Sequence, residues 1–299
     1  MTGFKVLSGG PLTLVQDLGR QGYTHLGITP SGAMDEYAYR WTQKLLGDSN
    51  ANALEILLGT LTLRATAQTT IAVCGADLDF RINDIAKPIW QTHQIKQNDI
   101  LSFKAKKSGM RSYLAVKGGY ETQLYEGSFS ATIREVKGKK LEIGDMLPFA
   151  RHQSRQITRV PTKYIPDYPS HLTLRIILSY QHHYFSKIQK EKFFSTPYKL
   201  TPKINRMGYK LQGEAMLPSK GDIISEGITF GAVQIPPDGQ PIILLKERQT
   251  IGGYAKIGSV LPIDCFALTQ LSIGTTVSFM PISVEEAQYE MKKFYNLFD

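Results

Sequence analysis

Short runs of β-branched and aromatic residues, each closed off by Gly, Pro, Asn or Asp, set the rhythm of this chain. Ile100–Phe103 (ILSF), Ser112–Val116 (SYLAV), Leu172–Leu178 (LTLRIIL) and Thr276–Met280 (TVSFM) have the length and residue types of strands. Val233–Ile235 and Ile242–Leu245 add two more, joined by Pro-Pro-Asp-Gly-Gln-Pro, where proline presets φ and Asp-Gly supplies a bend. One phrase recurs three times: IKQNDILSF (95–103), LEIGDMLPF (141–149) and LSIGTTVSF (271–279). Each has a Gly or Asn able to take φ > 0 and then a strand ending in Phe, which is a tight turn feeding an alternately buried strand. A Gly-Gly-Tyr echo at 118–120 and 252–254 points the same way, to two similar β-rich units in tandem.

Helices are few, and three stretches carry helical spacing. Ala33–Leu46 puts Met34, Ala38, Trp41 and Leu45 on one face, with Ser31 placed to cap its start and Gly47 its end. His183–Phe194 reads as a second helix. The third opens with a capping box, Ser283 and Glu286, and carries Ala287, Met291, Phe294, Tyr295 and Phe298 on its apolar face. Between the two units lies 155–171, with prolines at 161, 166 and 169 that hold their neighbours extended. The expected organisation is therefore mainly β, two barrel-like units with a few short helices, divided as 1–160 and 161–299.

Composition narrows the class. Forty-two per cent apolar and 20% charged residues over 299 positions allow a full core. No run of eighteen apolar residues predicts a membrane span, and the opening sequence lacks an export signal, so a cytoplasmic location is expected. Cys74 and Cys265, far apart and outside any CxxC pair, read as buried thiols of a reducing compartment. The net charge of +9 is concentrated between Lys96 and Arg159, where 13 Lys or Arg face 6 Asp or Glu. No nucleic-acid-binding motif accompanies it, so it reads as a solvated face, with no nucleic acid among the expected partners.

Linear motifs of general type are absent: no GxxxxGK[ST], no HExxH, no GxSxG. The His182–His183 pair has no acidic residue at ligand spacing, and no metal site is expected. What stands out is 233–258, whose turn chemistry accounts for Pro236, Pro237, Gly239 and Asp238 but leaves Arg248, Gln249, Thr250, Gly252, Gly253, Tyr254 and Lys256 over. That remainder reads as a wall facing a ligand or a partner protein.

Several long stretches, in order, resemble the biotin-dependent carboxyltransferase-like family, also labelled allophanate hydrolase subunit 2. They are VQDLGRQGYTHLGITPSGAMDEYA (15–38), ALEILLG (53–59), RSYLAVKGG (111–119), NRMGYKLQG (205–213), 224–258 and the closing F-P-SVEEA (279–287). The resemblance implies cyclophilin-like barrels. For members of this stand-alone length it implies the C-type component of an ATP-dependent 5-oxoprolinase, a hydrolase of 5-oxo-L-proline that needs its partner subunits. Those partners would be a second cyclophilin-like, kinase-inhibitor-like subunit and a separate catalytic subunit. ATP would be a co-substrate, with or without Mg. Two alternatives stand beside it: a non-catalytic antagonist that binds a kinase-inhibitor protein, and the carboxyltransferase part of a urea-carboxylase-type system. Biotin is disfavoured, because the chain lacks the Met-Lys-Met attachment site. The sequence departs from the family at Phe129, where an Arg is usual, at Glu247 for Asp and at Ala255 for Pro.

Opening a lactam by phosphorylating its carbonyl oxygen calls for cations or backbone N–H groups, and for a group that manages protons. The resemblance makes Arg206, Lys256, Glu226, Asp35 and His25 the catalytic candidates. Arg20, Ser31, Asn205, Tyr209, Gln234, Arg248, Gln249, Thr250, Gly252, Gly253 and Tyr254 are the substrate-binding ones. Structural readings compete: Ser31 as an N-cap, Asp35 in a first helical turn, His25 as a hydrogen-bonded structural residue, and Arg206 in a buried ion pair with Glu226.

Overall fold

The computed structural model describes residues 1–49, 51–152, 156–220 and 222–299; Arg155, at the start of the expected seam, lies outside them. The chain divides into two compact units. One comprises 1–20 and 31–168, the other 21–30 and 169–299.

The first unit contains β1 (Gly3–Gly9), β2 (Leu12–Gln16), helix α1 (Glu36–Leu46), β3 (Ala53–Leu57), β4 (Gly59–Ala65), β5 (Thr69–Asp77), β6 (Phe80–Ile82), β7 (Ile85–Ala86), β8 (Gln91–Ile95), β9 (Ile100–Ala105), β10 (Ser108–Val116) and β11 (Met146–Pro148). They form two antiparallel sheets, ordered β11-β1-β4-β9-β6-β7 and β2-β3-β10-β5-β8. Alternation explains the pairing. In β4 the burial runs buried-exposed along GTLTLRA, and its inward Leu61 and Leu63 join Phe4, Val6, Leu101 and Phe103 of the same sheet. Leu54, Ile56, Val73 and Leu114 of the second sheet meet them in one core.

The second unit contains β12 (His171–Leu178), helix α2 (Lys187–Ser195), β13 (Tyr198–Ile204), β14 (Gly208–Gln212), β15 (Asp222–Gly227), β16 (Ala232–Gln234), β17 (Ile242–Leu244), β18 (Ile251–Tyr254), β19 (Lys256–Val260), helix α3 (Pro262–Leu268), β20 (Thr276–Pro281) and helix α4 (Val284–Asn296). Seven strands close a barrel, β12-β19-β16-β17-β14-β13-β20, in which only β12 and β20 run parallel. Closure removes sheet edges. β15 and β18 stand apart as a two-stranded ribbon.

The recurrent phrase does the same work each time. Asn98, Gly144 and Gly274 all have positive φ (73°, 93° and 87°). Each donates its backbone N–H to a carbonyl of another strand or its end, Ala65, Val6 and Leu200 respectively. The predicted strands at 100–103, 112–116, 172–178 and 276–280 are all present.

Three local expectations change. Helix α1 begins at Glu36, capped by Asp35, whose Oδ1 accepts the Ala38 N–H at 3.1 Å; Ser31, at φ 54°, is not the cap. A short side chain three residues from an amide makes a better cap than one seven away, and the intervening Gly32 turns the chain. The stretch 183–194 is not one helix. A 3-10 turn at Tyr180–Tyr184 ends, and Ser186 then caps α2 with a capping box to Gln189. On α4, only Ala287 and Phe294 of the expected face are buried, with Phe294 packed 5.7 Å from Phe266 of α3.

Candidate functional site

In the second unit, strand register gathers much of the 233–258 polar remainder. Gln234 of β16 is the ladder partner of Lys256 on β19, and Glu226 of β15 is the partner of Gly252 on β18. Lys256 Nζ pairs with Glu226 Oε1, which links four residues from four strands. Two residues that no motif signalled join them. Tyr180 donates its hydroxyl to Glu226 Oε2. Gln181, only 1% exposed, donates Nε2 to Glu226 Oε1 at 2.7 Å and accepts the Lys256 backbone N–H at 2.8 Å. Both come from the 3-10 turn Tyr180–Tyr184 before α2, which no sequence motif marks. Ser179 adds a 2.5 Å hydrogen bond to the Lys256 carbonyl.

The electrostatics follow from this packing. Burial works to raise the Glu226 pKa, but donors from Lys256, Tyr180 and Gln181 outweigh it and hold the carboxyl below the usual carboxylate range. Glu226 is thus held as the ionised partner of Lys256. Tyr180 is shifted upward, chiefly by its bond to Glu226. Arg248 follows β17, and its Nε and Nη1 donate to the carbonyls of Ile228 and Leu245 at 3.0 and 3.2 Å. Among the described residues no carboxylate pairs with it, and burial pushes its pKa down to about 10. Among the described residues its partners are thus neutral carbonyls, and the guanidinium is desolvated against them.

Gln249 Nε2 donates to Gln234 Oε1 at 3.3 Å, and Thr250 accepts the Ile228 N–H on its carbonyl. Tyr254, 38% exposed, and Gly253 lie on the open ribbon.

Other candidates are held by structural duties. Arg206 is buried with Glu247, Nε to Oε1 at 2.5 Å; its partner is Glu247 and not Glu226, because the chain after β17 runs beside the β13–β14 turn, where the Glu247 N–H bonds the Arg206 carbonyl. Asn205 Oδ1 caps that turn through the Met207 and Gly208 N–H groups. Tyr209 is fully buried, its hydroxyl 3.4 Å from the Thr269 carbonyl. His25 sits exposed in a 3-10 turn at Thr24–Leu26.

In the first unit, Arg20 and Asp17 lock the 125–132 loop. Arg20, 2% exposed, donates to the carbonyls of Tyr125 and Ser130 and to Thr132 Oγ1. Asp17 accepts from Gly19 N, Phe129 N and the hydroxyls of Ser128 and Ser130. Phe129 packs against the core and helps line a cleft of about 460 Å³ with Asp48, Asn52, Gly118 and Gly119. Ser31 Oγ lies 3.5 Å from the Ala131 carbonyl. Asp35, beyond its capping bond, donates its own N–H to Tyr113 Oη at 2.8 Å, and Tyr113 donates in turn to Glu55 at 2.7 Å. Among the described residues no group of three or more His, Cys, Asp or Glu is arranged to hold a metal ion, and no helix is long and apolar enough to cross a membrane.

Barrel, ribbon and motif order together define the class: the chain belongs to the carboxyltransferase-domain family, subdomains A and B, whose family model matches residues 26–281. Within that class it is 34% identical over 291 residues to the C-type component of 5-oxoprolinase from Escherichia coli (strain K12), covering 95% of this chain and 92% of that one. The corresponding 5-oxoprolinase component of Haemophilus influenzae is 35% identical over 282 residues, 91% and 89% of the two chains. Among solved structures, Kluyveromyces lactis urea amidolyase superposes with a TM-score of 0.92 at 27% identity, covering all of this chain and 20% of that one.

Proposed function

We propose that this chain is the C-type component of a multi-subunit 5-oxoprolinase, which opens 5-oxo-L-proline to L-glutamate at the expense of ATP. The observation that carries the reading is the 34% identity spread over 95% of this chain and 92% of a protein named for that role. In this reading the 226/234/248/256 wall of the second unit meets the reacting lactam. A lactam carbonyl is a weak electrophile; when its oxygen attacks the terminal phosphorus of ATP, the O–P bond forms as ADP leaves, and the negative charge to be stabilised lies on the phosphoryl group in transfer. Lys256, held by Glu226 and Gln181, presents a fixed cation to that phosphoryl group, and electrostatic stabilisation of this kind contributes on the order of 3–4 kcal/mol. Arg248 supplies the counter-charge for a carboxylate or phosphate. The chain works with two partners, a second cyclophilin-like subunit and a separate catalytic subunit, and is inactive alone. Carboxyl transfer is the second reading, favoured by the superposition on urea amidolyase.

The test is glutamate release from 5-oxoproline and ATP, by the chain alone and then by the chain with both partners. Release that needs all three chains and falls at least a hundredfold with Lys256→Ala, in a complex that still assembles, supports the proposal. No release from a verified complex overturns it, and bicarbonate- and biotin-dependent turnover in its place establishes carboxyl transfer.

A further inference from the structure

The carboxamide of Gln234 is 1% exposed, and its Nε2 has no hydrogen-bond partner among the described residues. Folded proteins seldom leave a buried amide nitrogen unpaired, so this one asks for an acceptor. Its Oε1 has only the long 3.3 Å bond from Gln249 Nε2. Gly252 lies against the same amide: a Cβ there would stand 2.8 Å from Gln234 Nε2, 3.4 Å from Gln249 Nε2 and 2.6 Å from Ile228 Cδ1. The φ of Gly252 is outside the left-handed region, so the glycine provides clearance over the Gln234 amide and is not required by a turn.

We propose that Gln234 recognises the amide edge of a five-membered lactam, and that Gln249 is a displaceable stand-in for that edge. The inference rests on the reading that the substrate is a lactam. A five-membered ring forces its amide to be cis, which puts N–H and C=O on one edge. A primary carboxamide also shows a donor and an acceptor side by side. The two edges are complementary. The lactam oxygen accepts from Gln234 Nε2 while the lactam N–H donates to Gln234 Oε1; an open-chain trans amide cannot do both. Gln249 satisfies only half of that pair, and its side chain makes no other hydrogen bond among the described residues. Its departure therefore breaks one long bond and admits two.

The experiment titrates the full chain, alone and in the assembled complex, with 2-pyrrolidinone and with N-methyl-2-pyrrolidinone, which lacks the N–H. The expected result is at least tenfold tighter binding of 2-pyrrolidinone. Gln234→Leu should erase that preference, Gly252→Ala should weaken binding, and Gln249→Ala should bind the lactam as tightly as wild type or more so. Equal affinity for the two probes, no binding of either, or a preference that survives Gln234→Leu overturns the proposal. Lactam binding lost in a folded Gln249→Ala also overturns it, because Gln249 would then be a ligand contact. Should Gln234→Leu fail to fold, Gly252→Ala and Gln249→Ala decide by the same criteria. Selective lactam binding by a complex that releases no glutamate leaves this inference standing and removes the proposed reaction. Glutamate release with an unaltered KM in Gln234→Leu does the reverse.

Discussion

Arg206 shows what a residue's type reveals and what it hides. Its side chain is 7% exposed beside a Glu247 that is 8% exposed, so the two ions meet largely out of water. Removing one partner takes an ionic hydrogen bond from a buried ion, and Arg206→Ala is expected to lower stability by about 3 kcal/mol, read as a shift of the urea midpoint. A charged residue in a glycine-rich motif was legible as something fixed; its partner was not, since the pairing depends on which strands become neighbours. Gln181 was invisible for the same reason, its importance coming wholly from strands 45 and 75 residues away. Titration gives a second prediction at this scale. Burial is the largest influence on His93, with Lys87 and Arg159 adding to it against a bond to the Pro88 carbonyl, and its pKa lies below the ordinary 6.5. The unfolded chain therefore takes up the proton first. Stability should hold above about pH 6.5, decline as pH falls through that value towards the folded pKa, and lose this slope in His93→Gln, as pH-dependent denaturation would record. Glu226, depressed in its own range, adds a further loss below its ordinary value of 4.5 that Lys256→Met should diminish.

At the scale of elements, the turn-and-strand phrase was the most legible feature of the chain, because φ > 0 at one residue is a local demand that Gly or Asn announces. Gly144 and Gly274 hold φ of 93° and 87° with room around the missing side chain. Alanine at either should cost about 1 kcal/mol or slightly more, from backbone conformation alone. Gly231, also at positive φ, differs: its Cβ would meet the Val260 carbonyl oxygen at 2.3 Å. Gly231→Ala should therefore lower the melting temperature well beyond the other two. The start of α1 was less legible, since Ser31 and Asp35 both have capping chemistry and only the turn at Gly32 chooses between them. The apolar face of that helix followed directly from spacing, with Ala38, Trp41 and Leu45 buried, while Met34, equally buried, lies just ahead of the cap.

For the whole molecule, β content and the double architecture follow from strand and turn patterns, whereas barrel closure does not. The parallel pairing of β12 with β20 joins residues more than a hundred positions apart. Equally unreadable is the membership of 21–30 in the second unit, because nothing in that hydrophilic stretch names its neighbours. The isolated 169–299 fragment should thus unfold at lower urea than the same unit within the full chain, and an added peptide of residues 21–30 should raise its midpoint.

That detour also limits how such a chain can be rearranged in evolution. A crossover at the 168/169 boundary would separate ten residues from the unit they complete, so neither half exchanged there carries a whole unit and nothing else. Duplicating, swapping or losing one half carries a penalty that end-to-end fusion of the whole avoids. The match to urea amidolyase spans the whole of this chain and one fifth of that longer one.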